Sequence, residues 1–223
     1  MSRPPMTALA AGLALVGLLQ AAPVAQAATA PAPAPAAASA SLPVASGLAQ
    51  TVRERLQRPA SLRGDFVQTK RVQGFAKPLV SRGDFQLARG QGVLWRTAAP
   101  FASSLRITRD EIRASQGGQG TMQLDAAQEP AVRTISRLML ALLEGDLSGV
   151  DGLFELSGNV RASGWTLTLT PRPGPLQQVL RQIVLEGDAF VRRVQLLEAG
   201  GDESLIQLNN LRPGAAPDPG VFP

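Results

Sequence analysis

Apolar side chains first recur at a spacing of four, at Leu48, Val52 and Leu56 with Arg53, Glu54 and Arg55 between them, which predicts an amphipathic helix ending before Pro59. The period then changes to two. Phe66 and Gln68 oppose Val67 and Thr69, a break spans Gly74 to Pro78, and Phe85, Leu87 and Arg89 alternate with Asp84, Gln86 and Ala88. Val93 and Trp95 oppose Leu94 and Arg96, and Leu105 and Ile107 mark a strand after Pro100. Short turns between these runs predict hairpins in an antiparallel meander. From Pro130 to Leu143 the helical period returns, with Val132, Ile135, Leu138, Met139, Leu142 and Leu143 in phase, Pro130 suited to the first turn and Gly145 to the stop. Leu140 and Ala141 make the second half of this insert apolar nearly all round, so both its sides need cover. Beyond it the period is two again: Phe154 to Ala162, Trp165, Leu167 and Leu169 against Thr166, Thr168 and Thr170, then Ile183 to Glu186, Phe190 to Leu197 and Ser204 to Leu211. The order is therefore one helix, four to six strands, an apolar helical insert and about five more strands. A sheet of around ten strands in one domain curls or closes. A helical insert over one mouth of such a sheet gives the outline of a container.

Two segments at the start do not belong to this pattern. Arg3 precedes an apolar run from Met6 to Leu19, and Ala25-Gln26-Ala27 offers a cleavage site, so residues 1–27 read as a secretory leader. The apolar run is shorter than the roughly 20 residues of a spanning helix. Residues 28–46 are mostly Ala, Pro and Ser, including Pro31-Ala32-Pro33-Ala34-Pro35, and read as an extended tether that buries no core. Residues 47–223 have the length of one domain.

Composition narrows the chemistry. The chain has no Cys, no His and no Tyr, which leaves no disulfide, no Cys or His metal site and no triad with an imidazole base. Without a cysteine at the cleavage site there is no acyl anchor either. The isoelectric point near 11.1 reflects chemistry rather than a dense positive field: only Lys70 and Lys77 of the 22 basic residues are lysines, and the amino terminus alone titrates between carboxylates and lysine. With seven Phe and two Trp there is little to stack bases on, so no nucleic-acid partner is expected. The adjacent acids Asp110-Glu111 and Asp202-Glu203 fall at turns, no Ser-x-x-Lys spacing surrounds either lysine, and Gly117-Gly118-Gln119-Gly120 reads as a hairpin tip rather than a phosphate loop. Nothing points to an enzyme, a metal or a cofactor. Arg89 has two readings: it shares a face with Phe85 and Leu87 and enters the interior, or the strand ends at Ala88 and Arg89 belongs to the Arg89-Gly90-Gln91-Gly92 turn.

Several of these residues together resemble the LolA family of periplasmic outer-membrane lipoprotein carriers. They are Phe66-x-Gln68 after the first helix, Gly83-Asp84-Phe85-x-Leu87-x-Arg89, Trp95, Pro100, Leu169-Thr170-Pro171 and Pro219-Gly220-Val221. The resemblance implies a mainly β fold, an unclosed antiparallel barrel with an α-helical lid over a hydrophobic cavity for acyl chains. It implies that Arg89 is the lid latch, pointing into the cavity and bonding lid backbone. The expected lining is Phe66, Phe85, Leu87, Trp95 and Leu105 from the first strands, Trp165, Leu167 and Leu169 from the later ones, and Leu138, Met139 and Leu142 from the lid. The same side chains would equally serve as an ordinary packed core. The expected partners are an acylated lipoprotein or other lipid cargo, an inner-membrane donor complex and an outer-membrane acceptor, met by a monomer in the periplasm. The alternative is an envelope module of the same fold that binds a protein or senses lipid without transport. Gly90 stands where the family usually has Pro, and Glu111 to Leu124 lacks its Trp/Tyr-Asn/Asp-Pro segment, so the cargo stays open.

Overall fold

Helix α1, Ala45–Arg55, buries Ala49 and Val52 and leads into buried Leu56, the stripe that the four-residue spacing prescribes. Arg53 and Arg55 sit in its last turn, where cations suit the helix dipole. The helix takes in the last two residues assigned to the tether. The computed structural model describes residues 45–117, 119–125, 140–141, 144–147 and 150–214. Residues 1–44, which hold the proposed leader and most of the tether, lie outside them.

Eleven strands form one sheet: β1 (Ser61–Arg71), β2 (Leu79–Ala88), β3 (Gly92–Ala99), β4 (Ser103–Ile107), β5 (Glu111–Gln116), β6 (Gln119–Asp125), β7 (Phe154–Arg161), β8 (Gly164–Pro171), β9 (Leu180–Gly187), β10 (Val191–Glu198) and β11 (Glu203–Gly214). Six precede the insert and five follow it, within the range that the alternation predicts. Their order is β6-β5-β4-β3-β2-β1-β11-β10-β9-β8-β7, antiparallel throughout. The first and last strands thus pair at the centre, and β6 and β7 are the two edges of an unclosed sheet. Residues 126–149 join those two edges in the chain. α1 lies against β7, with the Arg55 guanidinium donating to the Arg161 carbonyl.

Cross-strand register lines up the interior. Leu62, Leu87, Val93, Ile107 and Ile112 form one row across β1 to β5, and Leu156, Leu169 and Ile183 form another across β7 to β9. Three interior aromatics each face a glycine on the neighbouring strand: Phe66 opposite Gly83, Phe85 opposite Gly64 and Trp165 opposite Gly187. A Cβ on these glycines would stand 2.9 Å from the Phe66 ring, 3.0 Å from the Phe85 ring and 2.6 Å from the Trp165 ring. The rings can lie against the sheet floor because nothing projects from the position opposite.

The described part of the insert includes its end. Leu140, Ala141 and Glu144 are helical, Gly145 has φ +69°, and the Asp146 N–H donates to the Ala141 carbonyl at 2.8 Å. This is the left-handed glycine stop that the sequence predicts. Leu147 and Val150 then enter the core, and a one-turn helix α2, Val150–Leu153, leads into β7. A Cβ on Gly145 would lie 3.3 Å from the Leu56 Cβ, so the insert ends against the end of α1. Gly145→Ala is expected to lower stability by about 1–2 kcal/mol, the cost of a left-handed residue bearing Cβ, as read by thermal unfolding. The rest of the predicted helix, with Leu138, Met139 and Leu142, lies outside the described residues.

Candidate functional site

The concave face of the sheet gathers the sequence-predicted lining from the strands. Phe66, Phe85, Leu87, Leu105, Trp165, Leu167 and Leu169 are all buried there, and Trp95 is half-buried against them. The Trp95 ring lies 4.1 Å from that of Phe66 and 5.7 Å from that of Phe85, centre to centre. Across the sheet, the Trp165 indole N–H donates to the Asp188 carbonyl at 2.7 Å, which ties its ring to the β9–β10 turn. Burial raises the pKa of the Asp188 carboxyl, but hydrogen bonds from Arg192 and the Phe190 N–H outweigh it and hold the group below its ordinary value.

Where α1, Gly145 at the end of the insert and the sheet meet, Leu56, Leu62, Phe85, Phe190, Val191 and Leu208 line a space of about 10 Å³. That is near the limit for one water and far below the roughly 300 Å³ at which ligand pockets begin.

At the other end of the concave face the wall turns polar, a feature that the sequence reading missed. Gln68 and Lys70 follow Phe66 at two-residue steps, so all three face inward, and β11 brings Ser204 opposite Lys70 and Ile206 opposite Gln68. The Lys70 ammonium contacts Glu198 at 2.8 Å and Asp202 at 3.2 Å. Burial lowers its pKa, but the hydrogen bonds and charges of these two acids outweigh that and raise it above the ordinary 10.5. A group whose folded pKa is raised contributes stability that is complete below its unfolded pKa and is lost as pH rises through the folded one. With no His, Cys or Tyr to titrate, stability is expected to stay flat from about pH 6 to 9 and to fall above the lysine range. Urea unfolding from pH 6 to 12 checks this, and Lys70→Met should remove most of the alkaline slope.

The latch residue is placed differently from what the resemblance implies. β2 ends at Ala88, and Arg89 is exposed in the following turn, its Nε donating to the Pro59 carbonyl at 3.2 Å. The physical reason is in the backbone: the Gln91 N–H turns back to the Ala88 carbonyl at 3.0 Å, so the chain reverses over Arg89 and Gly90 and the alternation stops at Ala88. The same turn nevertheless holds the insert. The Gly90 N–H donates to the Glu144 carboxylate at 2.9 Å. Glu144 escaped the sequence reading, although an acid in the last turn of a helix, where the dipole disfavours it, is a signal that it has a partner elsewhere.

Two of the paired acids, Glu111 and Asp202, have structural partners. Glu111 pairs with Arg106 at 2.7 Å and Arg113 at 3.1 Å, and Asp202 accepts from the Gln73 N–H as well as Lys70. Among the described residues no group of His, Cys, Asp or Glu is arranged to hold a metal, and no helix is long and apolar enough to cross a membrane.

A family profile described as outer membrane lipoprotein carrier protein LolA-like matches residues 36–218. No curated protein matches the sequence. Among solved structures the chain is similar to a LolA superfamily protein of Nitrosomonas europaea, at 11% identity and TM-score 0.45, covering 80% of this chain and 97% of that one. It is also similar to a DUF1329 family protein of Desulfovibrio piger, at 13% identity and TM-score 0.45, covering 79% and 95%. A third is MucB, at 19% identity and TM-score 0.38, covering 80% of this chain and 62% of the other.

Proposed function

The chain belongs to the LolA-like outer membrane lipoprotein carrier family, and we propose from this that it carries the acyl chains of a lipoprotein or another lipid-linked cargo between the concave face of its sheet and its helical insert. The observation that carries the reading is a continuous apolar wall, from Phe66 and Phe85 to Trp165 and Leu169, with Leu140, Leu147 and Val150 packed into the same cluster. Shielding one methylene from water gains about 0.8 kcal/mol, so a chain of about 14 carbons gains roughly 11 kcal/mol gross, against which the cost of opening is set. A moderate net affinity follows, and a better pocket elsewhere can take the cargo. In this reading residues 1–27 are a leader removed on export, residues 28–46 a tether, and the rest a monomeric domain in the periplasm that loads at an inner-membrane donor and unloads at an outer-membrane acceptor. Leu138, Met139 and Leu142 face the cargo from the insert.

The latch is the Arg89-Gly90 turn. Arg89 braces it against Pro59, and Gly90 holds Glu144, so the closed, empty form is favoured and cargo is released. Arg89→Leu and Glu144→Ala are expected to load faster and to hold lipid several-fold longer. Transfer of a radiolabelled diacyl lipid from vesicles to the purified protein, and from it to acceptor vesicles, measures both steps. Unchanged release in both variants would remove the latch, and no loading of the wild type would favour a protein-binding role for the fold.

A further inference from the structure

The polar end of the concave face carries two groups without partners. Among the described residues the Gln68 amide nitrogen and the Ser204 hydroxyl are the buried side-chain polar atoms that make no hydrogen bond. Ser204 is 1% exposed, and it lies diagonally across the β1–β11 pairing from Gln68, on the same inward face as Phe66, Ile206 and Leu208. A buried donor left empty lowers stability, whereas an apolar residue of similar shape there would not. We infer that Gln68 and Ser204 form a polar subsite in the otherwise apolar wall, one that donates hydrogen bonds to the ester carbonyl oxygens of an acyl lipid. This deepens the carrier reading and rests on it.

The surroundings select that chemistry. Lys70, the neighbouring cation, is already held by two carboxylates, Glu198 and Asp202, so the local charge is net negative and opposes a phosphate or free carboxylate. A neutral acceptor has no such penalty. An ester carbonyl is a neutral acceptor fixed at the head of a hydrocarbon chain, and from Gln68 the wall continues into Phe66, Leu208 and Phe85, where that chain would lie. Seated there, the carbonyl fixes how far the chain enters. The hydrocarbon supplies affinity, and the two donors supply registration and preference for an acylated over an alkylated lipid.

Three probes test this: a diacyl phosphatidylcholine, its dialkyl ether analogue of equal chain length, which lacks the carbonyls, and a synthetic diacylated lipopeptide. Two hydrogen bonds predict that wild type binds the ester phospholipid roughly tenfold or more tightly than the ether. Gln68→Leu with Ser204→Ala should bind ester and ether alike and unfold at no lower temperature than wild type. A lipopeptide that binds more tightly than the ester phospholipid identifies lipoprotein esters as the source, and the reverse identifies phospholipid. Equal binding of ester and ether by wild type overturns the subsite and leaves the carrier reading intact, and so does a preference that survives in the double variant. Should the variant misfold, the wild-type comparison decides alone. Wild type that binds none of the three overturns the carrier reading and the subsite with it.

Discussion

Gly83→Ala is expected to lower stability by about 3 kcal/mol, the upper end for overpacking a well-filled interior. A Cβ at Gly83 would stand 1.8 Å from the Arg96 carbonyl oxygen and 2.9 Å from the Phe66 ring. The first of these is backbone on the paired strand, so no rotamer change relieves it, and β2 and β3 have to separate locally. For a domain of this size roughly 3 kcal/mol corresponds to a melting point about 6–12 °C lower. Gly47→Ala is the matched control. Gly47 lies in α1 with open space around its Cβ position, so the same substitution there is expected to raise stability by roughly 0.5–1 kcal/mol. A Gly83→Ala protein that melts with wild type would mean that β2 and β3 do not pair in this register.

Phe66→Ala is the second large effect. The ring is 1% exposed, covers Gly83 and lies against Trp95, so truncation is expected to cost about 3–5 kcal/mol in lost burial and residual cavity. Its functional consequence runs the other way. In the wild type the ring lies against Trp95, whereas truncation leaves an apolar void beside it that can take part of a chain. Addition of a fatty acid is therefore expected to raise the melting temperature of Phe66→Ala by more than that of wild type, because stabilisation grows with affinity for the folded state. A smaller rise in the variant would place the acyl chain away from Phe66.

The elements were legible in the sequence because strand and helix periods are local. Phe66 to Gln68, Trp165 to Leu169 and Leu48 to Leu56 each announce their face without reference to the rest of the chain. Gly145 was legible for the same reason, as a residue that suits a left-handed stop. Arg89 was not. Alternation continues through it on paper, while the turn closed by the Gln91 N–H on the Ala88 carbonyl ends the strand one residue earlier. The polar end of the interior was hidden by distance along the chain: Gln68 and Ser204 become neighbours only because the first and last strands pair at the centre of the sheet. The same holds for the match of Phe66 to Gly83, Phe85 to Gly64 and Trp165 to Gly187, which requires the register and not just the strands. Glu144 meets Gly90 across a gap that no local pattern spans.

The central claim is that the interior opens to hold one acyl lipid. Native mass spectrometry of the protein, purified without detergent from the cells that make it, tests this. The expected result is a population heavier than the bare chain by one acyl-lipid mass, lost on extraction with organic solvent and restored by incubation with diacyl-lipid vesicles. A single species at the bare mass before and after that incubation would contradict it.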